Sequence, residues 1–412
     1  MIGVMATLPG WVQAVREFQQ LGLMNKAIID ATAVDIPLVA LAKNNTERKE
    51  RLIRQAMVLL IAFIIAPLHA KIISKWCSKA LGFTLKGLNE SLMQLTSKEL
   101  HGVKPMESGL KRLLGDGWQQ AVSYSSPSAL EPLRQRVIQA KSRFFMWDLG
   151  LEGLLFASVG FIKVFFGNLM SGKKQFTGEL GAVSQQQLDA LYAQQQAKSA
   201  NKPWLSKHLK EVLSIGLGVL APLALGLLMR GGLLAGATRG IKGFMAKTMA
   251  PLFDYNYPSY AKYLRGWPLL SDASLLITAI VLTVGELASA RSKREFKELA
   301  IQRNSIDALF FFGAPAFMKA IAGSTTVQGA IHKALQQGKS IQIAAKRSAW
   351  AYIASYLATL CSIAGVIVLT NALTLRSVRR DANQQSQGEL FKTLSQRAKL
   401  QWPKQQSLLR PV

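Results

Sequence analysis

The sequence predicts an all-α fold: a polytopic helical membrane protein with about six transmembrane helices, within a range of four to six, and amphipathic helices in its loops. Three observations lead there. Residues 348–375 contain no charged side chain, and Arg347 on one side and Arg376, Arg379 and Arg380 on the other bound them. A helix rises about 1.5 Å per residue and the hydrocarbon core is about 30 Å thick, so this stretch crosses with length to spare. Half of the 412 residues are hydrophobic and the mean hydropathy is +0.18, with the apolar residues in blocks rather than narrow stripes. Lys and Arg number 50 against 23 Asp and Glu, a net charge of +27. These basic residues are spread over every loop. That distribution suits anionic headgroups flanking membrane spans and excludes a single nucleic-acid groove.

Residues 1–54 read as an amphipathic N-terminal segment. Trp11, Val12, Val15 and Phe18 recur at helical spacing, and Pro37 interrupts a second apolar stretch at 28–42. The first residues hold Pro9 and Gly10 and lack a basic n-region, so no cleaved signal is expected and the first span serves for insertion. A charged run from Glu47 to Arg54 precedes that span, 55–73, which Pro67 should kink and whose Lys71 can snorkel. Residues 74–146 read as a basic amphipathic helical loop domain. Its apolar faces are Leu85, Leu88, Leu92 and Leu95, then Leu110, Leu113, Leu114 and Trp118, with a capping-box start at Ser128 and Glu131.

The second span, 147–170, carries Glu152 and Lys163, and 171–211 is a polar, glutamine-rich linker. Residues 212–375 form a C-terminal membrane region with spans near 212–229, 269–288, 306–322 and 348–375. The stretch 306–322 is short enough between Asp307 and Lys319 to be re-entrant instead. A basic tail, 376–412, is expected to be loosely ordered. No internal repeat is evident. An even number of spans places both termini on one side, and dense basic stops at 43–54, 291–303 and 376–380 make that side cytoplasmic, in a bacterial-type inner membrane.

Motifs for chemistry are few. His69, His101, His208 and His332 are isolated, and Cys77 and Cys361 are far apart, so no metal site, cofactor or disulfide is expected. His69, near Pro67, reads as an interfacial histidine bonded to backbone, with a proton relay as the sharper alternative. Residues 167–173 come one residue short of a GxxxxGK phosphate loop, with Lys174 where Ser or Thr belongs. They mark a bilayer exit.

Ionisable groups inside spans are the better candidates, since each costs about 2.5–3.5 kcal/mol at the bilayer centre on insertion scales. Glu152 and Lys163 share a helix face and could line one polar seam. Asp272 and Glu286 also share a face, near the ends of their span. Candidate helix-packing residues are Gly232, Gly236 and Gly240, with a stripe of Ala354, Ala358 and Ser362 beside a second stripe of Ala351, Ser355 and Thr359. The functional expectation is a non-catalytic membrane scaffold or assembly component. Its partners would be anionic lipid headgroups of the bilayer, a protein partner or a second copy, and not nucleic acid. The alternative is a transporter or channel using Glu152 and Lys163.

Overall fold

The computed structural model describes residues 8–21, 23–80, 92–100, 127–200, 216, 220–236, 239–255 and 270–408. All regular structure among them is helical. Four helices are long and apolar enough to cross a membrane: Asn45–Lys79, Pro132–Ser171, Lys293–Gln336 and Ile341–Ser395. Shorter apolar helices cover Ala221–Leu234 and Ala273–Ala288. The apolar faces expected at Leu85, Leu88, Leu110 and Trp118, the linker residues 201–211 and most of 212–220 lie outside the described residues.

In chain order the helices are α1 (Gly10–Gln20), α2 (Leu23–Ile29, Asp30–Asp35 and Ile36–Ala40, continuous), α3 (Asn45–Lys79), α4 (Pro127–Ser171), α5 (Gln185–Ala200) and α6 (Ala221–Leu234). Then come α7 (Asp272–Ala288), α8 (Lys293–Ala308, Leu309–Gly313 and Ala314–Ala322, continuous), α9 (Val327–Gln336) and α10 (Ile341–Leu408). Side-chain caps start several of them. Asn44, Ser271, Ser292 and Thr326 each accept from the backbone N–H of the third residue of α3, α7, α8 and α9. Gly323, at φ +66°, ends α8.

Proline shapes the interior of these helices in one recurring way. Wide π-helical turns at Asp30–Asp35, Ile61–Ile65 and Leu309–Gly313 run directly into Ile36-Pro37, Ala66-Pro67 and Ala314-Pro315, and a fourth at Met245–Met249 runs into Ala250-Pro251. A proline ring clashes with the carbonyl four residues back and offers no N–H to it. Widening the preceding turn moves that carbonyl aside, so Pro67 does not end its helix. The span expected at 55–73 therefore lies inside one helix that already begins at Asn45 and includes the charged run.

α8 likewise joins Lys293 to Ala322 without a break. The stretch 306–322 is its second half and no separate short span. The C-terminal tail continues α10 as helix to Leu408.

The structure brings out an internal repeat where the sequence pattern suggested none. Residues 43–67 and 291–315 align without a gap at a constant offset, and Glu47, Lys49, Glu50, Ile53, Phe63, Ala66 and Pro67 recur as Glu295, Lys297, Glu298, Ile301, Phe311, Ala314 and Pro315. The N-cap, the acidic third position, the π turn and the following proline all coincide. Lys43 and Arg291 each donate their backbone N–H to the glutamate four residues on, at 2.6 Å in both cases.

α3 and α8 run parallel. Arg54 near the start of α3 meets Glu286 near the end of α7, and Ile61 and Phe63 share a cluster with Val281 and Ile277, so α3 runs antiparallel to α7, and α8 turns back from α7. Each repeat thus holds an ascending helix (α2 or α7), a descending one (α3 or α8) and a third that packs along the second. α4 accompanies α3, and α10 accompanies α8. α6 packs against α4 through Gly226, where a Cβ would lie 2.8 Å from the Phe145 carbonyl oxygen.

α10 runs alongside α2. Asn25 bonds Tyr352, Tyr356 bonds Thr32, and Asn371 bonds the Leu41 carbonyl. α1 therefore sits at the Trp350 end, with Trp11 against Trp350 at 5.3 Å. The far end of α10 pairs Asp381 with Arg294. α1 and the Asp381 turn of α10 therefore lie at opposite ends of the bundle.

Two packing expectations are corrected. Gly236 and Gly240, at φ +54° and +69°, serve the turn after α6, and a Cβ on either would meet open space. Of the three glycines only Gly232 packs closely, since a Cβ there would lie 2.6 Å from the Lys242 carbonyl oxygen. On α10 the stripe Ala354, Ala358 and Ser362 is exposed, whereas Ala351, Ser355 and Thr359 are buried.

Candidate functional site

The reciprocal starts of α3 and α8 build a buried ionic junction. Glu50 accepts from Arg291 at 2.8 Å, and its counterpart Glu298 accepts from Lys43 at 2.5 Å. Each repeat's second glutamate thus reaches the residue preceding the other repeat's helix, which is the exchange a two-fold relation produces. Phe176 lies between them, with Lys43 at 4.9 Å and Arg291 at 5.7 Å from its ring. The segment after α4 closes the junction. Thr177 donates to Glu50 at 2.7 Å, and Glu179 accepts from Arg294 at 2.7 Å. Burial by itself lowers the Arg291 pKa, and the carboxylates of Glu295 and Glu50 outweigh it and raise it. Lys163 enters this junction, 3.9 Å from Glu50 and 3.8 Å from Glu295.

One turn further inside, Glu286 is fully buried between Arg54 at 2.7 Å and Arg303 at 2.6 Å. It lies in the last turn of α7, near the span end as expected, but it is buried there and does not face an interface. Asp272 opens α7, and its side chain lies outside the described residues.

Beneath these arginines is a cavity of about 80 Å³. Equivalent positions of the two repeats line it: Val58 with Ile306, Leu59 with Asp307, Ala62 with Phe310, Phe63 with Phe311. From the ascending helices Asp30 and Leu282 contribute. The three π turns of α2, α3 and α8 all present residues to it, and its charged lining is Lys26, Asp30, Arg54, Arg303 and Asp307. Lys26 also sits 5.5 Å from the Phe311 ring. Asp307 accepts from Thr283 at 3.1 Å.

Glu152 belongs elsewhere. It lies with Asp148 on one face of α4, each 2 % exposed, and Tyr255 Oη stands 2.8 Å from Glu152 Oε1 and 3.0 Å from Asp148 Oδ2. Burial first, and then the two acidic neighbours, push the Tyr255 phenol well above its ordinary range, so it stays a donor. His69 Nδ1 is 3.3 Å from Asp148 Oδ1 but not aligned for a hydrogen bond. Lys141, wholly buried, pairs with Asp254 at 3.4 Å and reaches the Leu92 carbonyl at 3.3 Å. Glu152 and Lys163 do share a face of α4, as the helical period requires, but they serve two separate clusters.

The polar segment after α4 is not a free arm. Gln185–Ala200 docks through Leu188 and Tyr192, whose hydroxyl accepts from the Phe176 N–H at 2.9 Å. Lys173, in the stretch resembling a phosphate loop, pairs with Asp189 at 2.7 Å. Hydrogen bonds from Lys173, Gln175 and Gln185 hold the Asp189 carboxyl down at about 2.

Glu50, Arg54, Arg291 and Arg303 are not legible as site residues in the sequence because they sit in the charged runs that flank the apolar blocks. The gapless repeat at 43–67 and 291–315 is the signal that could have found them. No protein family, no curated protein and no solved structure matches the chain.

Proposed function

We propose that the chain is a multi-pass membrane transporter of two parallel three-helix repeats, and that the cavity between them binds a small charged or zwitterionic solute. The observation that carries this reading is the cavity itself, lined by symmetry-equivalent positions and by three π turns. Binding between repeats at mid-bilayer suits alternating access, in which one half rocks against the other around a fixed site. Single π turns often mark functional positions. The cationic Arg54, Arg303 and Lys26 opposite Asp30 and Asp307 suit a solute with both charges, or an ion with its counter-ion.

The crossings in this reading are α2, α3, α4, α6, α7, α8 and α10, one more than six because α2 completes the first repeat. An odd count puts the termini on opposite sides. The basic stops at 43–54, 291–303 and 376–380 share one end and make it cytoplasmic, in a bacterial-type inner membrane. Cys77 is fully buried and cannot report topology. In a variant lacking Cys77 and Cys361, Lys339→Cys should react with an impermeant maleimide in intact cells, and Asn383→Cys only after permeabilisation. Labelling of both from the same side would remove the seven-crossing arrangement.

Transport is tested in vesicles containing purified protein, by uptake of glycine, chloride and inorganic phosphate. Asp30→Asn and Asp307→Asn should each reduce the uptake by about ten- to a hundredfold, as loss of one charge-assisted contact implies, with melting temperatures close to the parent. Parental uptake in both variants would sink this site assignment. If the parent moves none of the three probes, the transporter reading loses its first support and a scaffold role gains. That second reading is favoured by the tail of α10, which exposes Leu390, Phe391 and Leu394 together and would engage a protein partner or anionic lipid.

A further inference from the structure

A second buried polar cluster has a charge balance that its own side chains do not close. Asp148 and Glu152 are four residues apart on α4, so both project to one face. Each is 2 % exposed, and among the described residues neither is ion-paired with a lysine or arginine. The buried lysine of the same helix, Lys141, is committed to Asp254 and to the Leu92 carbonyl. His69, itself 8 % exposed, is brought against them by α3. Among the described residues neither of its ring nitrogens has a hydrogen-bond partner, and Asp148 Oδ1, which faces Nδ1 across 3.3 Å, has none either. Buried polar atoms are paired in the great majority of cases, so two orphans facing each other, His69 Nδ1 and Asp148 Oδ1, call for an occupant.

We infer that His69, Asp148 and Glu152 form a binding site for a divalent transition-metal ion of the zinc or manganese class, at the end of the bundle opposite the ionic junction. One donor atom from each residue lies within 4.8 Å of the others. Two ligands about 2.0–2.1 Å from a tetrahedral ion stand about 3.4 Å apart, close to the His69–Asp148 separation of 3.3 Å. An imidazole nitrogen with two carboxylate oxygens is the donor set that borderline divalent ions take, whereas calcium and magnesium prefer oxygen alone. A dication would neutralise the two carboxylates and satisfy Asp148 Oδ1 and one histidine nitrogen.

The surroundings suit that role. Tyr255 bonds Asp148 through Oδ2 and Glu152 through Oε1, leaving Asp148 Oδ1 turned to the histidine. Hydrogen bonds of this kind orient metal-ligating carboxylates. Tyr255 itself packs against Phe144 with its ring tilted by 59° and centroids 6.2 Å apart. The inference does not depend on what, if anything, the central cavity carries.

The test uses the full chain, tag-free, in mild detergent, stripped with a chelator and dialysed separately against Zn²⁺ and Mn²⁺. Elemental mass spectrometry should find one Zn²⁺ per chain. Asp148→Asn and Glu152→Gln should each weaken it about ten- to a hundredfold, the range for loss of a ligand's support or more. Zn²⁺ should also raise the melting temperature of the parent and not of these variants. Should either variant fail to fold, Co²⁺ bound to the parent decides: visible absorption of a tetrahedral nitrogen–oxygen site supports the assignment, and its absence overturns it. No saturable binding, or affinity unchanged in both variants, means the carboxylates hold only protons and ends the proposal.

Discussion

Replacing Glu286 with alanine is expected to destabilise the protein by about 3–5 kcal/mol, read as a large drop in melting temperature in detergent. The carboxylate is wholly buried and lies between two guanidinium groups, Arg54 at 2.7 Å and Arg303 at 2.6 Å. Removing it leaves two cations facing each other away from water, which is the costly way to break a buried ionic group. Those cations also form the roof of the cavity, so binding there should fail with the fold. Glu286→Gln keeps the shape and part of the hydrogen bonding and should lose less. Replacing all three, Arg54→Met, Glu286→Leu and Arg303→Met, should restore much of the stability while leaving the cavity without its arginines. If Glu286→Ala melts with the parent, the arginines find water or other partners and the ionic core is dispensable.

The second large effect is steric. Gly160→Leu is expected to abolish accumulation of folded protein, or to destabilise it by about 3 kcal/mol or more. A Cβ at Gly160 would lie 2.6 Å from the Gly285 carbonyl oxygen, and one at Gly285 would press on the Ala157 backbone. The obstacle is main chain on both sides, so no rotamer change relieves it, and α4 and α7 must separate. Glu286 and Lys163 are the next charged groups on those helices, so separation also disturbs both ionic layers. Gly365→Ala is the control. Nothing lies within 4 Å of a Cβ there, and the change should be neutral or add up to about 1 kcal/mol through helix propensity. Yield and melting temperature measured side by side separate these outcomes. Equal behaviour of the two variants would show that the α4–α7 crossing does not need its glycines.

Much of the architecture is legible in the residues alone. An uncharged run as long as 348–375, half the residues apolar and basic stops at its ends leave few alternatives to membrane-length helices, because hydrophobicity and length act locally and need no partner. The helical period also places Glu152 and Lys163 on one face, which α4 keeps. Glycine and alanine spacing is a weaker guide to packing, because it does not say where helices end. Gly236 and Gly240 fall in a turn, and Ala354, Ala358 and Ser362 on the outside. The charged run 47–54 has the pattern of a water-facing flank and is instead largely buried.

By itself, then, the sequence determined the all-helical class, the blocks long enough to cross a bilayer and the period of each helix face. Which charges are buried is a property of the assembled fold, because burial of Glu50, Arg54, Glu286 and Arg291 depends on partners more than two hundred residues away. An isolated charged residue in a flank carries no sign of the opposite charge that will meet it. The repeat stayed hidden for a related reason. Its shared features are a cap, a wide turn and a proline, alike in geometry while most side chains differ, so composition and periodicity pass over it and only a gapless comparison of 43–67 with 291–315 brings it out.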